Sequence, residues 1–223
     1  MYKSIICFFA IFGFIFAQDK NPDPERFRES INIFKEFDSK NTCPADAVLF
    51  VGSSSIRLWE TAKYFPDYAV INRGFGGSHI SDVNYFIETV VLKHDPKVIV
   101  FYAGDNDVAA GKDSNQVYKN YIDFVSSIKG HLSKTHIIYI PIKPSLARWS
   151  MWETMKKTNL KIKAYSDEDD LLHYVDLATP MLTNEGPPDS SLFVNDGLHL
   201  NEKGYELWTR LLMPVLEAAF HEE

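Results

Sequence analysis

The chain has 223 residues, of which 45% are hydrophobic and 24% are charged, so it can bury the core of one domain, whereas two independent domains would both be undersized. Its formal net charge is −7, and an acidic chain without a basic run repels phosphate backbones, which argues against nucleic acid as a partner. The histidines and the two cysteines show no metal-ligand spacing, so the sequence implies neither a metal nor another cofactor.

Residues 1–17 have the composition of a secretory signal peptide. Lys3 is the only charged residue, an apolar run extends from Ile5 to Phe16, and the small residue Ala17 precedes a polar segment. The run is shorter than the roughly 20 residues of a membrane-spanning helix, although an uncleaved anchor is the alternative. Cleavage after Ala17 predicts a secreted or periplasmic protein with no stable membrane insertion. Cys43 would then be the only cysteine, which precludes an intramolecular disulfide.

The segment after the predicted signal peptide contains a helix-start signal. Asp23 followed by Pro24 provides a cap and a first turn for a helix over residues 25–37. We expect this N-terminal helical extension, at about residues 23–38, to pack on the main fold. No low-complexity linker or internal repeat interrupts the chain, so residues 18–223 are predicted to form a single domain.

Five near-continuous apolar runs of strand length predict strands that are buried on both faces. They cover residues 47–51, 68–71, 98–103, 137–140 and 174–177. Amphipathic stretches of helical length lie between and after them, at residues 82–93, 114–132, 150–165 and 202–220. Alternating strands and helices predict a parallel sheet covered on both sides, so we expect a three-layer α/β/α sandwich with five strands.

Hydroxyl residues follow the first predicted strand, where Ser53, Ser54 and Ser55 form a tight turn. Near the other end of the chain, Asp196 and His199 stand three positions apart before the last predicted helix. A serine hydroxyl becomes a good nucleophile when an imidazole takes its proton, and a carboxylate fixes the tautomer of that imidazole. These residues are therefore the parts of a Ser-His-Asp hydrolase, and the pattern alone leaves the choice among the three serines open.

Two further turns follow the second and third predicted strands. The first reads Asn-Arg-Gly-Phe-Gly-Gly-Ser over residues 72–78, and the second reads Gly-Asp-Asn-Asp over residues 104–107. Taken alone, the first is a strand-to-helix turn whose glycines adopt positive φ, and Asn106 is an ordinary turn residue. In open α/β sheets, however, ligands bind at the carboxyl ends of the strands. We therefore expect both turns to meet the serine turn there and to supply an oxyanion hole.

In this order, the four segments resemble the sequence blocks of the SGNH hydrolases, the superfamily that includes the GDSL esterases and lipases. The resemblance extends from about residue 47 to residue 208 and implies the flavodoxin-like SGNH hydrolase fold. It identifies Ser54 as the nucleophile, His199 as the base and Asp196 as the partner of the base. It also implies an oxyanion hole made of the backbone N–H groups of Ser54 and Gly77 and the side-chain amide of Asn106.

The segment from Val51 to Trp59 is also similar to a bacterial branch of lysophospholipase-like GDSL esterases related to the platelet-activating-factor acetylhydrolase subunits. One position departs from the family. The pattern Gly-Asp-Ser reads Gly52-Ser53-Ser54 in this chain, so the carboxylate that usually supports the nucleophile turn is absent.

The resemblance implies a serine ester hydrolase that acts on short acyl groups, above all acetyl, through an acyl-enzyme. The alcohol part of its small-molecule substrate is expected to be a carbohydrate or lysophospholipid-like. Arg57, Trp59, Arg148 and Trp149 are candidate pocket residues, although buried aromatic side chains that cover the sheet explain the tryptophans equally well. The alternatives are a lysophospholipase or lipid esterase of the same mechanism, and a catalytically inactive carbohydrate-binding module on this fold. The acyl length, the alcohol and the oligomeric state stay open.

Overall fold

The computed structural model describes residues 21–222, so the predicted signal peptide lies outside the described residues. The described residues contain a five-stranded sheet whose strand order is β2-β1-β3-β4-β5. All neighbouring strands are parallel. The strands are β1 (Val48–Gly52), β2 (Val70–Gly74), β3 (Val98–Tyr102), β4 (His136–Tyr139) and β5 (Leu172–Tyr174).

Helices cover both faces of this sheet. They are α1 (Arg28–Lys40), α2 (Ser54–Arg57), α3 (Thr61–Tyr64), α4 (Ile80–Tyr85), α5 (Ile87–Val90), α6 (Asp105–Ala109), α7 (Ser114–His131), α8 (Trp152–Ser166) and α9 (Glu202–His221). Buried side chains of α1, α4, α5, α7 and α8 form the core on one face, and those of α2 and α9 form the core on the other. The predicted three-layer α/β/α sandwich is therefore confirmed. No helix within residues 21–222 combines the length and the hydropathy that a membrane span requires.

Two predicted elements differ from the structure. The fifth strand shares only Tyr174 with its predicted range, because the apolar residues Val175 and Leu177 are buried beside the sheet after the chain has left it. The predicted helix over residues 82–93 is also wrong. It is divided into α4, α5 and a short 3₁₀ turn, with Phe86 between the first two and β-branched residues near the second break.

The N-terminal helix α1 is fastened to the sheet by ion pairs. Its Asp38 carboxylate contacts Arg73 on β2 and Lys93 near the start of β3. Before α1, a 3₁₀ turn over Pro24–Phe27 is capped by Asp23, and Arg26 in this turn forms an ion pair with Asp82 on α4. These ion pairs therefore tie both ends of the N-terminal segment to the rest of the fold.

The close approach of β1 to its neighbours depends on one glycine at its carboxyl end. Gly52 has a φ of +141°, and a Cβ at this position would lie 1.8 Å from the carbonyl oxygen of Tyr102 on β3. Its own carbonyl oxygen accepts hydrogen bonds from the backbone N–H of Phe75 at 2.9 Å and from the hydroxyl of Ser78 at 3.2 Å. The loops that follow β1, β2 and β3 are thereby held together at one edge.

His94 provides a prediction about stability. Burial and the nearby Arg73 guanidinium lower the pKa of His94 to about 4, against the opposing effect of Asp38. The unfolded chain binds a proton at this histidine below about pH 6.5, whereas the folded chain stays unprotonated until about pH 4. The free energy of unfolding should therefore fall as the pH is lowered from about 7 to 4, with His94 accounting for at most about 3 kcal/mol.

Urea unfolding of the parent and of His94→Gln between pH 7 and pH 4.5 tests this. The variant should lose less stability than the parent over this interval. His131→Gln, which replaces an exposed histidine, serves as the control and should follow the parent. Equal slopes for the parent and His94→Gln would show that this group does not titrate on unfolding.

Candidate active site

The three serines after β1 differ in exposure and direction. Ser53 and Ser55 are buried, at 0% and 1% exposure, whereas Ser54 is half-buried and begins α2. The backbone N–H of Ser53 donates to the Tyr102 carbonyl oxygen at 3.0 Å, which ties this turn to β3. Of the three hydroxyls, that of Ser54 lies 3.0 Å from Nε2 of His199.

His199 is held on its other side by Asp196. Nδ1 of the imidazole lies 2.6 Å from Oδ2 of the carboxylate, and Oδ1 accepts the backbone N–H groups of Leu198 and His199 at 2.8 and 2.9 Å. These hydrogen bonds, led by that from the imidazole, lower the pKa of Asp196 to about 2. The carboxylate is therefore ionised across the physiological range. Gly197, with a φ of +63°, makes the turn that brings the two side chains together.

The Asn106 amide has a defined orientation. Its Oδ1 accepts a hydrogen bond from Nη2 of Arg148 at 3.1 Å, and its Nδ2 donates to the Ser78 carbonyl oxygen at 3.1 Å. With the oxygen engaged by an obligate donor, the NH₂ group faces the loop that contains Gly77. Gly77 has a φ of +84° with no atom within 4 Å of an added Cβ, so the backbone there faces open space.

Asp105, Lys143 and Arg148 form an ion-pair network next to this amide. Nη1 of Arg148 contacts Oδ2 of Asp105 at 2.8 Å, and Nζ of Lys143 lies 3.7 Å from the same oxygen. Lys143 is only 1% exposed, and its burial lowers its pKa although Asp105 opposes this shift. The Asp107 carboxylate is part of a different ion pair, in which it accepts a hydrogen bond from Nζ of Lys112 at 2.6 Å. Asp105 thus holds the arginine that holds Asn106.

A shallow cavity of about 500 Å³ lies over these groups. Its lining residues are Ser30, Ser54, Arg57, Gly76, Gly77, Asn106, Arg148, Leu198 and His199. A larger cavity of about 720 Å³ lies between α1 and β2, and it contains none of the predicted catalytic residues. The smaller cavity is therefore the candidate active site, since it joins a nucleophile, a base and amide donors.

The predicted pocket residues divide into two pairs. Arg57 and Arg148 line the cavity, as described above. Trp59 does not, because its indole is 2% exposed and packs among Phe50, Tyr205 and other rings in the core, so its prediction as a pocket residue is wrong. Trp149 lies outside the lining and stacks on Trp152, with ring centroids 6.0 Å apart. The alternative of a buried ring that covers the sheet therefore describes Trp59, whereas Trp149 is 37% exposed and fits neither interpretation.

Three lining residues were not predicted as site residues, and one of them, Gly76, belongs to the glycine-rich turn that was expected at this edge. Leu198 lies in the sequence between Asp196 and His199, and only the folded turn shows that it lines the cavity. Ser30 comes from α1, and nothing in its sequence context distinguishes it from any other polar helix residue.

Comparison with known proteins gives consistent matches. Residues 57–207 match the sequence model of the GDSL-like Lipase/Acylhydrolase family. The isoamyl acetate-hydrolyzing esterase of Saccharomyces cerevisiae is 23% identical over 174 residues, which are 71% of this chain and 73% of that protein. The family match begins three residues after Ser54, so the position of this serine relative to His199 is known here from the structure.

Two solved structures illustrate the similarity in fold. A GDSL-like lipase from Bacteroides thetaiotaomicron superimposes with a TM-score of 0.73 at 20% identity, covering 88% of this chain and 98% of that one. An acetyl-xylooligosaccharide esterase from Geobacillus superimposes with a TM-score of 0.61 at 16% identity, covering 80% and 95% of the two chains. At these identities, the comparison shows that the fold is shared.

The hydrogen bonds around Asp196 lead to a prediction that needs no substrate. In His199→Ala the largest cause of the low pKa is lost while the two backbone donors remain, so the pKa of Asp196 should rise from about 2 toward 3.8. Titration of the carboxyl carbon by ¹³C NMR measures this change. Leu198→Ala keeps the imidazole and all backbone donors, and it should leave the pKa near 2. An unchanged pKa in His199→Ala would contradict the assigned contact.

Proposed function

Because the chain belongs to the GDSL-like lipase/acylhydrolase family and is an ester hydrolase, we propose that it cleaves short acyl esters, with acetyl as the preferred group, through an acyl-enzyme on Ser54. The observation that carries this proposal is the continuous series of contacts from Asp196 through His199 to Ser54, at 2.6 and 3.0 Å. An inactive binding module on this fold would not need these three groups to be aligned.

In the proposed reaction, Nε2 of His199 accepts the proton of the Ser54 hydroxyl as Oγ attacks the ester carbonyl carbon. Asp196 keeps the proton of the neutral imidazole on Nδ1, which leaves the lone pair on Nε2 directed at the serine. Collapse of the tetrahedral intermediate expels the alcohol, which takes the proton from His199. A water molecule, activated by the same nitrogen, then attacks the acyl-enzyme and releases the acid.

The proposed oxyanion hole consists of three donors, namely the backbone N–H groups of Ser54 and Gly77 and Nδ2 of Asn106. Within residues 21–222, neither of these two backbone N–H groups has a hydrogen-bond acceptor, so both are available to an oxyanion. The Arg148 contact supports the role of Asn106, because it keeps the amide oxygen turned away from the developing negative charge.

The shape of the cavity and the names of two relatives support a short acyl group. About 500 Å³ of open, shallow space provides no deep channel for a long hydrocarbon chain. The yeast relative is described as hydrolysing isoamyl acetate, and the Geobacillus enzyme as an acetyl-xylooligosaccharide esterase. Arg57 and Arg148 favour a polar alcohol, and we propose an acetylated carbohydrate.

A lysophospholipid-like substrate is the second candidate, since the same two arginines would also bind a phosphate group. Hydrolysis rates for acetylated sugars, p-nitrophenyl esters of rising chain length and lysophospholipids would distinguish the two. The proposal expects the highest kcat/KM with acetyl esters.

For its cellular location, we propose that cleavage after Ala17 releases residues 18–223 as a single domain that is secreted or periplasmic.

The identity of the nucleophile can be tested by covalent labelling. A p-nitrophenyl phosphonate probe should modify Ser54 alone, because only its hydroxyl contacts His199. Peptide mass spectrometry identifies the labelled residue. Ser53→Ala and Ser55→Ala should still be labelled, and Ser54→Ala should not. Label on Ser53 or Ser55 in the active parent would refute the assignment.

The oxyanion donor can be tested together with its support. Asn106→Ala should lower kcat for p-nitrophenyl acetate by about 10²–10³-fold with little change in KM, because the amide binds the transition state more strongly than the ground state. Arg148→Met should lower kcat by about tenfold, since the amide then loses one of its two anchors.

Arg57→Met is the matched control, because Arg57 lines the same cavity and has no contact with the Asn106 side chain. Its kcat for this small ester should stay within about twofold of the parent. Each variant must retain the thermal transition of the parent. Full kcat in Asn106→Ala would mean that this residue only shapes the turn.

A further inference from the structure

Two histidines that are far apart in the sequence meet at the amino edge of the sheet, the edge opposite Ser54. His136 is the first residue of β4, and His173 is the second residue of β5. His173 is opposite Ile138 in the strand register, so both histidines project from the same face. Nδ1 of His136 lies 2.9 Å from Nε2 of His173, and the rings stack with centroids 5.2 Å apart.

Glu222 completes this cluster from the end of α9. One possible ligand atom from each of the three residues lies within 4.8 Å of the other two. Glu222 is the C-cap of α9, and its backbone N–H donates to the Ala218 carbonyl oxygen at 3.1 Å. The partial negative charge at a helix C-terminus favours a bound cation beside it.

The contact between the two histidines includes an imidazole in the neutral form that binds metals. An N···N distance of 2.9 Å requires one imidazole N–H to donate to a lone pair on the other ring, so at least one ring is neutral. Burial lowers the pKa of both His136 and His173, and the nearby Glu222 opposes this shift at both. The hydrogen bond between the rings itself keeps a neutral imidazole with a nitrogen lone pair in the cluster.

The other charged groups near the cluster are of both signs. Lys97 lowers the pKa of His136, and its Nζ lies 5.2 Å from the ring centroid of Phe220. Asp46, Asp95 and Lys134 line the cavity of about 470 Å³ that also reaches His136 and Glu222. The cavity gives a hydrated cation a route to the cluster, and its carboxylates offset the two lysines.

We propose that His136, His173 and Glu222 bind one Zn²⁺ ion, with a water molecule as the fourth ligand. Two imidazole nitrogens and a carboxylate oxygen are a common ligand set for this metal. Tetrahedral zinc places two nitrogen ligands about 3.3 Å apart, so the two nitrogens separate by about 0.4 Å and the rings tilt until both lone pairs face the ion. The ring that donates the shared hydrogen bond changes tautomer, which frees its nitrogen for the metal without a net loss of protons.

Such a site would be structural. It joins the carboxyl end of α9 to β4 and β5, and the strands separate it from Ser54 at the other edge. Zinc should therefore stabilise the folded chain and leave the rate of ester hydrolysis unchanged.

Isothermal titration of the EDTA-treated, metal-free protein with ZnCl₂ tests the proposal. The parent should bind one ion per chain. At a free zinc concentration about 100 times the Kd, its thermal midpoint should rise by about 5–10 °C. His173→Gln and Glu222→Gln should each weaken binding by about 100-fold or more and abolish most of this rise. Hydrolysis of p-nitrophenyl acetate reports the folding of each variant and should not depend on zinc.

Two controls separate this cluster from other histidines. Cys43 and His94 also lie close, with Sγ 3.6 Å from Nδ1, so Cys43→Ser tests whether zinc binds there instead. His131→Gln tests for binding at an exposed histidine. Both controls should bind like the parent. The proposal is overturned by a parent that takes up no stoichiometric zinc, by loss of binding in either control, or by parental affinity in Glu222→Gln, a replacement at an exposed side chain.

Discussion

The arrangement of this molecule depends on the close contact of β1 with its two neighbours at the carboxyl edge of the sheet. A side chain at Gly52 would overlap the Tyr102 carbonyl oxygen, and the carbonyl of Gly52 accepts from both Phe75 and Ser78. The strand ends are thus spaced by backbone contact with no side chain between them. Three loops that are distant in the sequence thereby begin from fixed positions, and the candidate catalytic groups inherit that precision.

Charge is distributed around the site in two layers. The carboxylate of Asp196 is directly behind the imidazole and close to solvent, while the buried pair of Lys143 and Asp105 lies beneath the amide donor. In the first layer, Asp196 sets the tautomer of the His199 imidazole through a hydrogen bond. The second sets the position of Arg148, and through it the direction of Asn106. The charged groups around the site therefore determine both the tautomer of the base and the orientation of the Asn106 amide.

Most of the fold could be predicted from local signals in the sequence, whereas the choice of Ser54 and its partners needed the resemblance of four ordered segments to the SGNH blocks. Buried parallel strands appear as continuous apolar runs, and turns that bear Ser54 and Asn106 follow them directly. The errors arise where tertiary packing decides. Val175 and Leu177 are buried without joining the sheet, and the indole of Trp59 turns into the core. His136 and His173 were not recognised as neighbours, because only the register of β4 and β5 brings them together.

The serine that α1 contributes to the cavity has a consequence for how the site can be varied. Ser30 precedes the region that matches the family, whereas most of the groups that surround Ser54 lie within it. Ser54 itself also precedes this region, whereas His199, Asn106 and both arginines lie inside it. One side of the cavity that an incoming molecule meets is thus formed by a helix that carries none of the groups assigned to the reaction. Replacements on the exposed turns of this helix can alter which esters are accepted while the hydrogen bonds of the central loops persist.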